Sequence, residues 1–229
     1  MQILSLKRVR DQVLESIYNA PRATILDEFF RRGAGIYVLG GAIRDVISSD
    51  FGHQVEWAPR DFDIGVTGVS APEFDYVLSE LGRRNRHGGF ILEVSGRPTW
   101  DVWRLENSVG LRKTGTAFSL ENVLRSFNLD CNAIALDVRS GLVADAGAID
   151  AIRGRRVGLV HNVILHSPET FAAKALLAQL RFGYSTSIAL ELLIETHLER
   201  GSLLYESRKV FPGLALLSST SSAYSAARA

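Results

Sequence analysis

Gly35-Ile36-Tyr37-Val38-Leu39-Gly40-Gly41-Ala42-Ile43-Arg44-Asp45 reads as a short apolar strand that turns through a glycine pair into a helix. Over 42–49, Ile43, Val46 and Ile47 fall on one side at helical spacing. Two glycines at such a junction let the backbone approach a ligand closely. The helix start behind them offers unpaired N–H groups and a positive dipole end, a combination suited to phosphate. A glycine pair alone is more commonly a plain turn, so a phosphate role needs support from elsewhere in the chain.

That support lies in Asp61-Phe62-Asp63-Ile64. On a strand, alternate residues share a face, so Asp61 and Asp63 point one way while Phe62 and Ile64 point into the core. Two adjacent carboxylates repel unless a cation neutralises them. Hard oxygen donors at this spacing suit Mg²⁺ or Mn²⁺, which binds together with substrate phosphates. The alternative is a strand end with two solvated aspartates. Asp101, between Trp100 and Val102 on another expected strand, is a third candidate. Three carboxylates from two strands can hold two metal ions about 4 Å apart; pairing of Asp101 with Arg104 is the competing expectation.

Around this centre, strand-like and helix-like segments alternate. Strands are expected over 61–67, 90–94, 100–105, 132–138 and 141–144, with another over 157–161, and a helix over 71–81 begins with Pro72 in its first turn. Beyond His166 the pattern turns helical: one helix from Pro168 to Phe182, a break at 184–187, and a second helix over 188–200. Residues 1–163 are therefore expected to form a mixed α/β domain, 164–210 a small helical domain, and the Ser- and Ala-rich 211–229 a frayed tail.

Composition agrees with a folded chain of 229 residues. At about 150 residues per domain, this length allows one domain and a small appendage. Its 26 Lys and Arg against 25 Asp and Glu exclude a polycation or polyanion, and 46% hydrophobic residues exclude wholesale disorder. A single cysteine, Cys131, excludes an internal disulfide framework and a multi-cysteine zinc site; it flanks an apolar strand and is expected in the core. No apolar run reaches membrane-span length, and the first ten residues lack a signal-peptide core, so a cytoplasmic protein without a membrane partner is expected.

Taken together, Gly40-Gly41-x-x-Arg44-Asp45 and Asp61-x-Asp63 resemble the head domain of bacterial poly(A) polymerases and class II CCA-adding enzymes, within the DNA polymerase β-like nucleotidyltransferases. The resemblance continues through Asp101-Val102-Trp103-Arg104-Leu105-Glu106, through Asn132-Ala133-Ile134-Ala135-Leu136-Asp137, and through Gly147 to Arg156. It ends at Leu180-Arg181-Phe182-Gly183, similar to the start of the family's helical neck, and so covers roughly residues 35 to 185. It implies a mixed-sheet nucleotidyltransferase head followed by a small neck-like helical domain. Asp61, Asp63 and Asp101 would be the catalytic metal ligands. Gly40 and Gly41 would cradle the triphosphate, with Arg44 and Asp45 bracing the loop. Asn128 and Asn132 would lie by the nucleotide. Arg104, Arg112 and Lys113, together with Lys174 and Arg181 on one helix face, complete the nucleotide-binding candidates.

There are departures. The interval from Asp45 to Asp61 is long and implies an inserted loop. The family's Arg-Arg-Asp falls on Ser126, Phe127 and Asn128, and its base-reading Glu-Asp-x-x-Arg is not evident near Glu169. The basic groups 83–87 and 153–156 read as solvated surface or as RNA contacts. His53, His87 and His197 are scattered, and none is expected to be a ligand. The expected activity is Mg²⁺-dependent transfer of a nucleoside monophosphate from an NTP to a hydroxyl, the acceptor being an RNA 3′ end, with no ordered C-C-A addition. Transfer to a small molecule or a protein, or a catalytically silent nucleotide- or RNA-binding module, are the alternatives. The oligomeric state is not legible.

Overall fold

Strict alternation along Asp61–Thr67 organises the architecture, because Phe62, Ile64 and Val66 are buried on one face and Asp61, Asp63 and Thr67 are half-buried on the other. A computed structural model describes residues 1–4, 6–53, 59, 61–93, 98–160 and 168–199, with the backbone alone of Leu4, Arg181, Leu198 and Glu199. Five strands at its centre are β2 (Gly35–Leu39), β3 (Asp61–Thr67), β6 (Thr99–Arg104), β7 (Ile134–Asp137) and β8 (Val143–Asp145). Short strands β1 (Gln2–Leu4), β4 (Arg83–Arg84) and β5 (Phe90–Leu92) complete an eight-stranded sheet of order β1-β8-β7-β2-β3-β6-β5-β4. Within that sheet only the β3–β6 pairing is parallel, and it sets Asp63 directly opposite Asp101.

The first face is covered by α1 (Lys7–Tyr18), α2 (Thr24–Arg31), α3 (Gly41–Asp50), α4 (Ala71–Leu78) and α7 (Ala148–Arg153). Helix α1 presents Val9, Val13 and Ile17 to this core at intervals of four, one side of a helix. Helix α4 starts with a capping box in which Ser70 and Glu73 bond each other's backbone N–H. It ends at Leu78, short of the expected 81, where the chain turns toward Gly82. A Cβ at Gly82 would lie 2.3 Å from Leu92, so that turn has no room for a side chain.

Among the described residues the second face is covered in part, by α5 (Val109–Thr114) and α6 (Leu120–Arg125). Leu39, Leu105, Leu111, Val123 and Leu124 form a separate small core there. Gly65 makes this packing possible, since a Cβ on it would fall 2.2 Å from a Leu105 methyl. The uncovered remainder of this face holds the carboxylates.

Helices α8 (Pro168–Phe182) and α9 (Ile188–Glu199) match the two expected helices closely. They dock through Phe171, Ala172, Ala175, Tyr184, Leu190 and Ile194 into the same buried cluster as the first face. A second, two-stranded sheet ties them down: β9 (Arg156–Val157) runs parallel to β10 (Ser185–Thr186). Where a strand was expected over 157–161, β9 is the strand described. The expected boundary at 163 and 164, Ser167, and the whole of 200–229 lie outside the described residues. So do 54–58 of the long interval and 94–97 of the expected turn. Cys131 is buried as expected, and burial pushes its thiol up to about 11. Among the described residues no helix is long and apolar enough to cross a membrane.

Candidate active site

The glycine turn, the carboxylates and the cleft meet at one end of β2, β3 and β6. Gly40 closes β2 with φ +69°, a conformation L side chains rarely adopt, and its N–H donates to the Ile134 carbonyl 3.0 Å away. An atom at its Cβ position would lie 3.6 Å from Asp63 Oδ2 and 3.5 Å from the Phe127 ring. A side chain there would stand between the carboxylate and the cleft. Gly41, the first residue of α3, is under no such constraint, since its Cβ would meet the Arg44 guanidinium at an ordinary 3.5 Å. Gly40→Ala is therefore expected to cost about 1–3 kcal/mol of stability through backbone strain and to weaken nucleotide binding. Gly41→Ala should change each far less. Melting curves and calorimetric titration of both variants check the difference, and equal effects would contradict it.

Behind the turn, Arg44 is a brace. Its Nε and Nη2 donate to Asp45 Oδ1 at 2.9 and 2.7 Å, and its Nη1 donates to Asn132 Oδ1 at 2.6 Å. The guanidinium carbon lies 4.7 Å over the Phe182 ring. This one side chain joins α3, the turn before β7, and the end of α8. Asp45 is 4% exposed, and half-buried Arg44 is held by it and by Asn132.

Asp61, Asp63 and Asp101 share the second face, with Asp63 and Asp101 about 5 Å apart at Cα, the spacing of paired strands. Burial, opposed by an Asn85 hydrogen bond and the His87 charge and assisted by the Asp61 charge, raises the Asp101 pKa. Among the described residues no three His, Cys, Asp or Glu side chains converge into a metal cage. Adjacent hard-oxygen carboxylates beside an open cleft nevertheless fit a divalent cation that keeps waters and takes its other ligands from phosphate.

A cleft of about 230 Å³ opens beside them. Of the residues singled out in the sequence, Gly40, Asp63, Asp101, Asn128, Asn132 and Lys174 line it. Asp61 sits one pleat repeat away, and Arg112 and Lys113 are exposed at the end of α5. Arg104 is not brought to the cleft. Three positions beyond Asp101, it has the opposite strand parity, and its Nε lies 3.8 Å from Glu106. Asp101 thus does not take Arg104 as its partner. The Arg181 side chain lies outside the described residues, and Glu169 lies 3.8 Å from His197 within the helical pair.

Asn85 and His87, expected only as part of a solvated or RNA-contacting basic group, line the cleft. Asn85 Nδ2 donates to Asp101 Oδ1 at 2.9 Å, while Asn85 Oδ1 accepts from the N–H groups of His87 and Gly89. The β4–β5 turn thus holds an amide on the third carboxylate. Gly89 lets the hairpin lie this close, since a Cβ there would be 2.5 Å from the Val102 carbonyl. His87 lies on the cleft wall beside Asn85. The local signal was a turn-forming Asn-x-x-Gly between arginines, which says nothing of what the amide faces. Removing a hydrogen bond to the charged form raises a carboxyl pKa further. Asn85→Ala should therefore shift the acid limb of the pH–rate profile to higher pH, and an unmoved limb would show the bond to be incidental.

The sheet order, the parallel β3–β6 pair and the turn into α3 make a mixed-sheet α/β fold of the kind found in the head of CCA-adding enzymes. Solved structures agree. The chain is similar to a CCA-adding enzyme in complex with ATP (TM-score 0.61, 18% identity, 91% of this chain and 49% of that one). It is also similar to the Thermotoga maritima CCA-adding enzyme complexed with tRNA (0.62, 18%, 91% and 50%) and to a tRNA-processing enzyme in an apo form (0.57, 18%, 90% and 53%). The chain spans about half the length of these structures. No family model and no curated protein matches its sequence.

Proposed function

We propose that the chain is a nucleotidyltransferase that moves a nucleoside monophosphate from an NTP to a hydroxyl, releasing pyrophosphate, and that the acceptor is an RNA 3′ end. The observation that carries this reading is the placement of Asp63 between Asp101 on the neighbouring strand and the strained Gly40 turn. Asp61, Asp63 and Asp101 would hold Mg²⁺ or Mn²⁺, which supplies Lewis-acid stabilisation of the phosphoryl group. The N-terminus of α3 seats the triphosphate. The acceptor oxygen bonds to the α-phosphorus as the bond to the bridging oxygen breaks, and pyrophosphate departs. Asp101, with its pKa raised, is suited to take the acceptor proton. Neighbours of the same fold are in complex with ATP, CTP and tRNA, which supports nucleotide and RNA as partners.

Base choice is expected to differ from ordered C-C-A addition. A planar Arg fork paired with a carboxylate reads a base edge with about 1–3 kcal/mol of discrimination per contact, and the cleft here offers Ser126, Phe127 and Asn128. The test incubates the protein with each labelled NTP, Mg²⁺ or Mn²⁺, and total RNA or tRNA transcripts lacking C-C-A. Labelled RNA without the C-C-A order supports the reading. Label on protein or small molecules shifts the acceptor, and absence of any transfer refutes the enzyme.

A further inference from the structure

Across the sheet, the Gly40 turn ends β2, Asp63 comes next on β3, then Asp101 on β6, and the β4–β5 hairpin lies beyond. Three strand spacings separate β2 from β5, about 14 Å. A triphosphate at the α3 start therefore has the carboxylates between it and the hairpin.

That far side is cationic. Two of the three hairpin arginines are occupied elsewhere: Arg83 lies 3.8 Å from Glu93, and Arg84 pairs with Asp75 at 2.6 Å. Arg86 instead turns to the cleft mouth, where its Nε donates to His87 Nε2 at 3.0 Å. The imidazole is pulled below its usual range by burial, then by the charges of Arg86, Arg112 and Lys113, with Asp101 acting in the other direction. Along the chain, Arg112 and Lys113 come just after Val109 and Gly110 of the cleft wall, in the last turn of α5, so Arg86 from the hairpin and these two cations from α5 flank the cleft. All three are exposed, and neither Arg86 nor Arg112 forms an ion pair among the described residues. Exposed guanidinium groups on two elements beside one cleft make its mouth locally cationic. Deeper in, the cleft is lined by Trp103 and Phe127, aromatic rings of the kind on which unpaired bases stack beside a cationic track.

We propose that Arg86, Arg112 and Lys113 form a phosphate track at the cleft mouth for a single-stranded nucleic acid, whose 3′ end is led toward Asp101 from the side opposite the glycine turn. The direction of the strand rests on the transfer reading above; the track itself does not. It assigns Arg112 and Lys113 to the acceptor rather than to the NTP.

The test measures binding of a fluorescent single-stranded RNA by anisotropy, without NTP, across a range of salt concentrations. Arg86→Ala/Arg112→Ala should bind about tenfold more weakly, with the log–log salt slope reduced by about 1.4, at roughly 0.7 per phosphate contact on a single strand. ATP affinity measured by calorimetry should be unchanged. Arg83→Ala/Arg84→Ala, on the same hairpin, should bind RNA like the parent protein. RNA binding unaltered in the first variant, no RNA binding by the parent, or an equal loss of ATP affinity would each overturn the track. Track-dependent binding by a protein that transfers nothing to RNA would support the track and refute the transfer reading.

Discussion

Asp63→Asn is expected to give a folded protein that has lost nucleotide transfer by at least a thousandfold, about 4 kcal/mol of transition-state stabilisation. The amide keeps the shape of the carboxylate, so contacts with the Gly40 turn and the pairing of β3 with β2 and β6 persist. What changes is charge. Asp61, Asp63 and Asp101 share one face, and removing the central charge relieves repulsion. The melting temperature should hold or rise. A neutral amide is a far poorer ligand for a hard cation, so the rate with saturating NTP and metal should collapse. Asp61→Asn should lose less, since Asp61 lies outside the cleft lining. Initial rates with labelled NTP and thermal melts together decide the matter. Turnover by Asp63→Asn within tenfold of the parent would remove the carboxylate from the chemistry.

Arg44→Ala should be the most destabilising single change near the site, by about 3–5 kcal/mol, the usual cost of stranding one partner of a buried ion pair. The substitution leaves Asp45 buried without its fork, Asn132 without its donor, and Phe182 without its stacked cation. Arg44→Lys should recover little, because an ammonium cannot make the planar two-point contact or lie flat on the ring. The sharper check is the double variant Arg44→Ala/Asp45→Ala, which removes the stranded charge. Its stability in urea should exceed that expected from adding the two single losses. Strict additivity would mean that the pair does not act as a unit.

The face of β3 was legible because Asp-Phe-Asp-Ile is a period-two pattern, and a slip by one residue would bury both carboxylates. The α3 helix and its glycine turn were legible for a similar local reason. The pairing of Asp63 with Asp101 was not, since two strands far apart in sequence carry no mark of register. Nor was Asn85, whose role arises from how a hairpin folds onto β6. Arg104 could have been excluded by counting: three residues from Asp101 is an odd step on a strand. Helix α1 was not expected, although Val9, Val13 and Ile17 recur at four-residue intervals. The short α5 and α6 carry too few turns for a periodic signal and are fixed by the small core beneath them.

The contact between α5 and α6 bears on what this site can become. A Cβ on Gly110 would lie 2.2 Å from the Ser126 Cβ, and Ser126 Oγ is held by the Val123 carbonyl at 2.7 Å. Position 126 falls where the family resemblance leads one to expect the first residue of an Arg-Arg-Asp. Ser126 also lines the cleft, while any residue larger than glycine at 110 collides with its Cβ. Position 110 is thus tied to position 126, and a side chain at 110 requires α6 to give way. The two positions form an epistatic pair: glycine at 110 is required for as long as a side chain occupies the Ser126 seat.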